Sequence, residues 1–158
     1  MESFFSDLTS GWPDAEQFGR ITLRLLAAAL VGAVSGIQRE QAGKPAGLRT
    51  HMLVSLGAAV FVLVPVELGA PVGEVGRVVQ GVATGIGFIG AGAILKREKS
   101  GEVEGLTTAA GIWLTAAAGA AIGFGGIAIA LVAMVLAWII LAVLGRIEAR
   151  LRSNRPTL

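Results

Sequence analysis

Five long apolar stretches, Ile21–Ile37, Met52–Leu68, Val78–Leu95, Leu106–Phe124 and Ile127–Leu144, dominate the chain and restrict what it can become. Each is about 17 to 19 residues long, enough at roughly 1.5 Å rise per residue to cross the hydrocarbon core of a bilayer as a helix. Charge is nearly swept from them: Arg24 stands near the start of the first and Glu67 at the end of the second. Spanning segments must satisfy every backbone polar group internally, so a polytopic bundle of about five transmembrane helices is the expected, all-α fold.

The basic residues fall on alternate sides of these stretches. One set of connections holds Arg39, Lys44, Arg49, Lys96, Arg97, Lys99, Arg146, Arg150, Arg152 and Arg155, ten in all. The other holds Arg20, Arg24 and Arg77. Basic loops stay in the cytoplasm, so the bias predicts the N-terminus outside and the C-terminus inside. The expected organisation is a short extracytoplasmic segment over 1–20, a five-helix membrane domain over 21–144 and a basic cytoplasmic tail over 145–158. Residues 1–19 hold Glu2, Asp7, Asp14 and Glu16 with no basic residue, unlike the basic start of a secretory leader, so the first span is expected to remain uncleaved. Mean hydropathy of +0.73 excludes an ordinary soluble domain. The pI near 9.7 reflects this sidedness, so nucleic acid is not an expected partner. Cysteine is absent, which removes disulfides, thiolate metal sites and cysteine nucleophiles together.

The spans differ in kind. The fifth is aliphatic on all sides, which suits contact with lipid. The third carries Gly81, Gly85, Gly87, Gly90 and Gly92, and the fourth carries Thr107, Thr108 and Thr115 among small residues. Small residues let helices approach closely where apolar side chains gain nothing by leaving lipid for one another. The pairs Gly32-xxx-Gly36, Gly81-xxx-Gly85 and Gly119-xxx-Gly123 have that spacing, and the expected centre is spans one, three and four, with span five outside. The glycines from Gly85 to Gly92 permit either simple close packing or a helix broken at membrane depth, whose free backbone groups would line a path. Gly123–Gly126 is read as the turn of a hairpin joining spans four and five, since their summed length exceeds one crossing.

Chemistry concentrates between the first two spans. Arg39, Glu40 and Arg49 lie at the hydrocarbon edge, where unpaired charge is costly, and are read either as topology-fixing flanks or as an ion pair at the inner mouth of the bundle. Lys96–Glu104 alternates in sign and reads as a solvated loop. His51 reads as an interfacial residue, Glu67 as a carboxylate within reach of a cation outside, and Arg146, Arg150 and Arg152 as a helical continuation suited to anionic headgroups. Gly85-Ile86-Gly87-Phe88-Ile89-Gly90 matches a dinucleotide fingerprint in letters only, because that motif requires a strand–turn–helix setting. No Ser-His-Asp set, phosphate loop or H-E-x-x-H appears, so no enzymatic activity and no resident cofactor are expected.

Three blocks resemble the MgtC/SapB family of bacterial inner-membrane proteins. Gly32-xxx-Gly36-Ile37-Gln38-Arg39-Glu40 leading to Pro45-Ala46-Gly47-Leu48-Arg49-Thr50 resembles the first signature. Gly85–Gly92 resembles the second, and Gly105-Leu106-Thr107-Thr108-Ala109-Ala110-Gly111-Ile112-Trp113 with Gly119 the third. The resemblance implies a multi-pass protein of magnesium or cation homeostasis, with Mg²⁺ as substrate or effector. Two modes stay open. In one, the chain is a magnesium or cation transporter, with Gly85, Gly87, Gly90, Gly92, Thr107 and Thr108 lining a path and Arg39, Glu40 and Arg49 at its mouth. In the other it is a membrane-embedded regulator that docks, through faces such as Gly32, Gly36 and Gly85, on a larger complex such as the F-type ATP synthase. Self-association into a homo-oligomer is a further expectation. Many members carry an acid where this chain has Gln38, so no role is carried over to that position. Some continue into a soluble C-terminal domain, and regulation through one is not expected of a sequence ending at Leu158.

Overall fold

The computed structural model describes residues 12–96 and 103–153. Asp14 begins the first helix by accepting the Gln17 amide at 2.7 Å, which satisfies one of the free donors at a helix start. Helix α1 runs Ala15–Gln41, α2 Leu48–Glu67, α3 Val72–Gly92, α4 Leu106–Gly123 and α5 Ile127–Ser153. Between α3 and α4, Leu95–Lys96 (β1) pairs antiparallel with Val103–Glu104 (β2), Leu95 opposite Glu104. The expected loop over Lys96–Glu104 therefore has a short β stem at its base, and residues 97–102 lie outside the described residues.

Turn chemistry sets where helices stop. Glycine at Gly69 adopts φ +71° just after α2, where the Gly69 and Ala70 amides return to the carbonyls of Val66 and Pro65. Pro71 then starts α3, since a proline lacks only a donor that a first helical turn leaves free. Gly125, at φ +93°, closes the expected hairpin between α4 and α5.

Residue size is inverted relative to a soluble protein. On α1 the buried face is Ala28, Val31, Gly32, Ser35, Gly36 and Arg39, while Leu23, Leu26, Leu30, Val34 and Ile37 point outward. Large aliphatics outside and small residues inside is the arrangement expected when the solvent is hydrocarbon. Four helices, α1, α2, α4 and the Ile127–Ile147 part of α5, are long and apolar enough to cross a membrane. Helix α3 has the length, at 21 residues, but Glu74, Arg77, Gln80 and its glycines make it less apolar. The chain is a polytopic membrane helical bundle.

The centre differs from the sequence expectation. Helix α2 is wedged between α1 and α4, and α4 is the most buried of the four spanning helices. It contributes to both apolar clusters: Ala118 and Ile122 meet Ala28, Val31, Ala59 and Met134, and Ile112, Ala116 and Ala120 meet Ala58, Val62, Val75 and Ile86. Helix α3 lies against α4 and the edge of α2, and α5 is peripheral as expected. A Cβ placed on Gly32 would lie 2.5 Å from the His51 carbonyl oxygen, and one on Gly36 2.5 Å from the Leu48 Cα. Gly119 and Gly123 press equally on the backbone of α2, at Ser55 and Ala59. Gly81, Gly85, Gly87 and Gly92 meet nothing within 4 Å. Two small-xxx-small pairs thus close on α2, whereas the third faces outward. Helix α3 is also continuous through Gly85–Gly92, so the broken-helix expectation is not realised.

Candidate functional site

Close packing of α1, α2 and α4 gathers an interior column of polar side chains. Ser35 and Arg39 are one turn apart on α1, His51 and Ser55 one turn apart on α2, and Thr108 and Thr115 two turns apart on α4. All six are buried, with His51, Ser55 and Thr115 fully so. Helical spacing explains the alignment, because residues three or four apart share a face.

Arg39 is 5% exposed and donates from Nη2 to the Thr108 hydroxyl, while its buried Nε has no partner among the described residues. His51 Nδ1 is 3.1 Å from the Gly47 carbonyl oxygen and donates to it, and Nε2, beside Gly111 of α4, has no partner among the described residues. Thr115 donates to the Gly111 carbonyl at 2.8 Å and lies 3.4 Å from the Ser35 hydroxyl, while the Ser55 hydroxyl has no partner among the described residues. Buried polar groups are normally paired, so three atoms in one column without a partner among the described residues set this region apart from the apolar clusters.

The expected ion pair at the inner mouth is not formed. Glu40 is exposed and accepts the Leu48 amide at 2.9 Å, serving as a carboxylate cap on the start of α2. Arg39, one residue earlier, points about 100° away around the helix and enters the interior. Arg49 is exposed, and among the described residues it forms no ion pair. His51, read from sequence as interfacial, belongs to the interior column instead. Thr107 is exposed while Thr108 is buried, so the two expected path-lining threonines part company. A Cβ on Gly90 would meet the Ala109 side chain at 3.6 Å, whereas among the described residues one on Gly85, Gly87 or Gly92 would meet nothing within 4 Å.

At the opposite end, sequence reasoning missed a clamp. Arg24 pairs with Glu67 at 3.4 Å and reaches the Gly123 carbonyl at 3.4 Å, tying α1 to the last turns of α2 and α4. Gln17 adds a 2.9 Å bond to the same carboxylate. The cation that Glu67 meets is thus a residue of its own chain. A positive side chain over the last carbonyls of a helix also complements the helix dipole. The available signal was that Arg24 and Glu67 are the two charges inside the apolar stretches.

Surface cavities lie beside α3 and beside α5. An apolar groove of about 690 Å³ lies between α2 and α3, lined by Gly57, Phe61, Gly81, Gly85 and Ile89 among others. A second, of about 510 Å³, lies between the end of α1 and α5 and is lined by Gln38, Arg39, Lys44, Thr107, Ile140 and Leu144 among others. Magnesium prefers oxygen ligands supplied by carboxylates, with several waters retained. The interior column offers a guanidinium, an imidazole and hydroxyls, a set that does not fit such an ion. Among the described residues no three His, Cys, Asp or Glu side chains come together.

Residues 25–150 match the sequence profile of the MgtC family. The chain is 50% identical over 124 residues to protein SrpB of Synechococcus elongatus, covering 72% of this chain and 68% of that protein. It is 41% identical over 139 residues to Escherichia coli K12 YhiD, whose name marks it as a candidate magnesium transporter, covering 84% of this chain and 64% of YhiD. To protein MgtC of Salmonella typhimurium it is 41% identical over 114 residues, covering 72% of this chain and 48% of MgtC. The chain thus spans between about half and two thirds of the length of these relatives. No solved structure matches it.

Proposed function

This chain belongs to the MgtC family, and on that premise we propose that it is a membrane protein of magnesium homeostasis, set in the bacterial inner membrane, that works by docking on other membrane components. The observation that carries the docking mode is the chemistry of its interior. Among the described residues, the buried polar side chains between α1, α2 and α4 include Arg39 and no carboxylate, so their fixed charge opposes entry of a divalent cation. The faces left open are suited to contact instead: Gly57, Gly81 and Gly85 border an apolar groove of about 690 Å³, and small residues of this kind let another helix approach closely. Orientation follows from the basic bias, with the ends of α1 and α5 on the cytoplasmic side.

The name of YhiD favours a second reading, direct transport of magnesium. Purified protein in liposomes loaded with a magnesium-sensitive dye discriminates the two. Docking predicts an uptake rate equal to that of empty vesicles under an inward magnesium gradient. Uptake well above that background, abolished by Gly-to-Leu substitution along α3, would establish transport and remove the docking mode. The homeostatic role is tested separately, by growth of a strain lacking the gene: it should fall behind its parent only when magnesium is limiting.

A further inference from the structure

The 510 Å³ cavity between α1 and α5 has two unlike walls. One is the end of α1 and the residues after it, presenting Gln38, Arg39 and Lys44, with Thr107 from the start of α4. The other is α5, presenting Ile140, Leu141 and Leu144 up to Gly145. Its lining holds two cations and no carboxylate. Glu40, the neighbouring acid, is turned away onto the Leu48 amide. The cavity also lies at a defined depth: the aliphatic stretch of α5 ends at Leu144 and the first charge, Arg146, follows directly. Arg39 is more than nine-tenths buried at its edge, and its Nε has no partner among the described residues.

We infer that this cavity is a binding site for an anionic phospholipid, its phosphodiester held by Arg39, Lys44 and the Thr107 hydroxyl and its acyl chain lying along Ile140, Leu141 and Leu144. A diester oxygen is a strong acceptor for guanidinium and ammonium donors. The position at the end of an apolar helix is where a headgroup meets water, and the aliphatic wall is what a chain below it requires. A divalent cation is repelled by the two fixed charges. A soluble anion would leave the aliphatic wall without a use. The inference is independent of whether the protein docks or transports.

Native mass spectrometry of the full-length protein, titrated with phosphatidylglycerol or with phosphatidylcholine of the same chains, tests this. Wild type should retain phosphatidylglycerol preferentially. Lys44→Gln, at an exposed residue that folding does not require, should weaken phosphatidylglycerol retention roughly fivefold and leave phosphatidylcholine unchanged. Thr107→Trp, which fills the cavity from an exposed position, should weaken it at least as much. Equal retention of both lipids by wild type overturns the proposal, as does unchanged phosphatidylglycerol retention in both variants. Displacement of phosphatidylglycerol by millimolar inorganic phosphate overturns the lipid assignment in favour of a small-anion site.

Discussion

Gly32→Ala is the sharpest probe of how this bundle is held together. The added methyl would lie 2.5 Å from the His51 carbonyl oxygen, 2.8 Å from the Met52 Cα and 2.9 Å from the His51 carbonyl carbon. Ordinary contact begins near 3.4 Å, so α1 must retreat from α2 by up to about 0.9 Å. All three neighbours are backbone atoms and cannot rotate aside. Overpacking of this kind costs about 1–3 kcal/mol, offset by up to about 1 kcal/mol from the better helix propensity of alanine. With three rigid backbone atoms under 3.0 Å the cost falls in the upper part of that range, about 2–3 kcal/mol, so the expected net loss after the full offset is about 1–2 kcal/mol, a fall in melting temperature of roughly 2–8 °C for a chain of this size. Gly85→Ala is the matched control, because nothing lies within 4 Å of that position and only the propensity gain remains. Circular dichroism melts of both variants in one detergent give the comparison. A Gly32→Ala protein that melts at or above wild type, or a Gly85→Ala protein that falls as far, would refute the packing account.

Two other substitutions test the polar contacts in the same assay. Thr108→Val removes the hydroxyl that receives Arg39 and should cost about 1–3 kcal/mol, whereas Thr108→Ser keeps the acceptor and should stay near wild type. Arg24→Gln and Glu67→Gln should each lower the melting temperature, and the double variant should lose less than the two losses together. The coupling should be near 1 kcal/mol, since the side chains are 23% and 18% exposed. Strict additivity would mean that the pair contributes nothing.

Much of the candidate site was hidden from sequence for reasons visible in particular residues. Glu40 directly follows Arg39 and shares the membrane edge with Arg49, and its charge is opposite to both, so pairing was the natural reading. Yet side chains one residue apart on a helix diverge by about 100°, and here one enters the interior while its neighbour caps α2. His51 looked like an edge residue because it precedes the apolar run, but α4 covers it. Arg24 and Glu67, 43 positions apart, could be joined only once α1 and α2 were laid side by side.

Sequence by itself determined the solvent and the helical class, because each follows from where charge and apolar residues stand along one chain and needs no knowledge of neighbours. The glycine spacing also announced that helices would come close. Which helices they would be was decided by the tertiary structure. A Gly-xxx-Gly face is competent to pack against any partner, so Gly32, Gly36, Gly119 and Gly123 closing on α2 while Gly81 and Gly85 stay open is a property of the assembled bundle. The same holds for the interior column, whose members come from three helices and acquire a common environment only when those helices exclude the solvent between them.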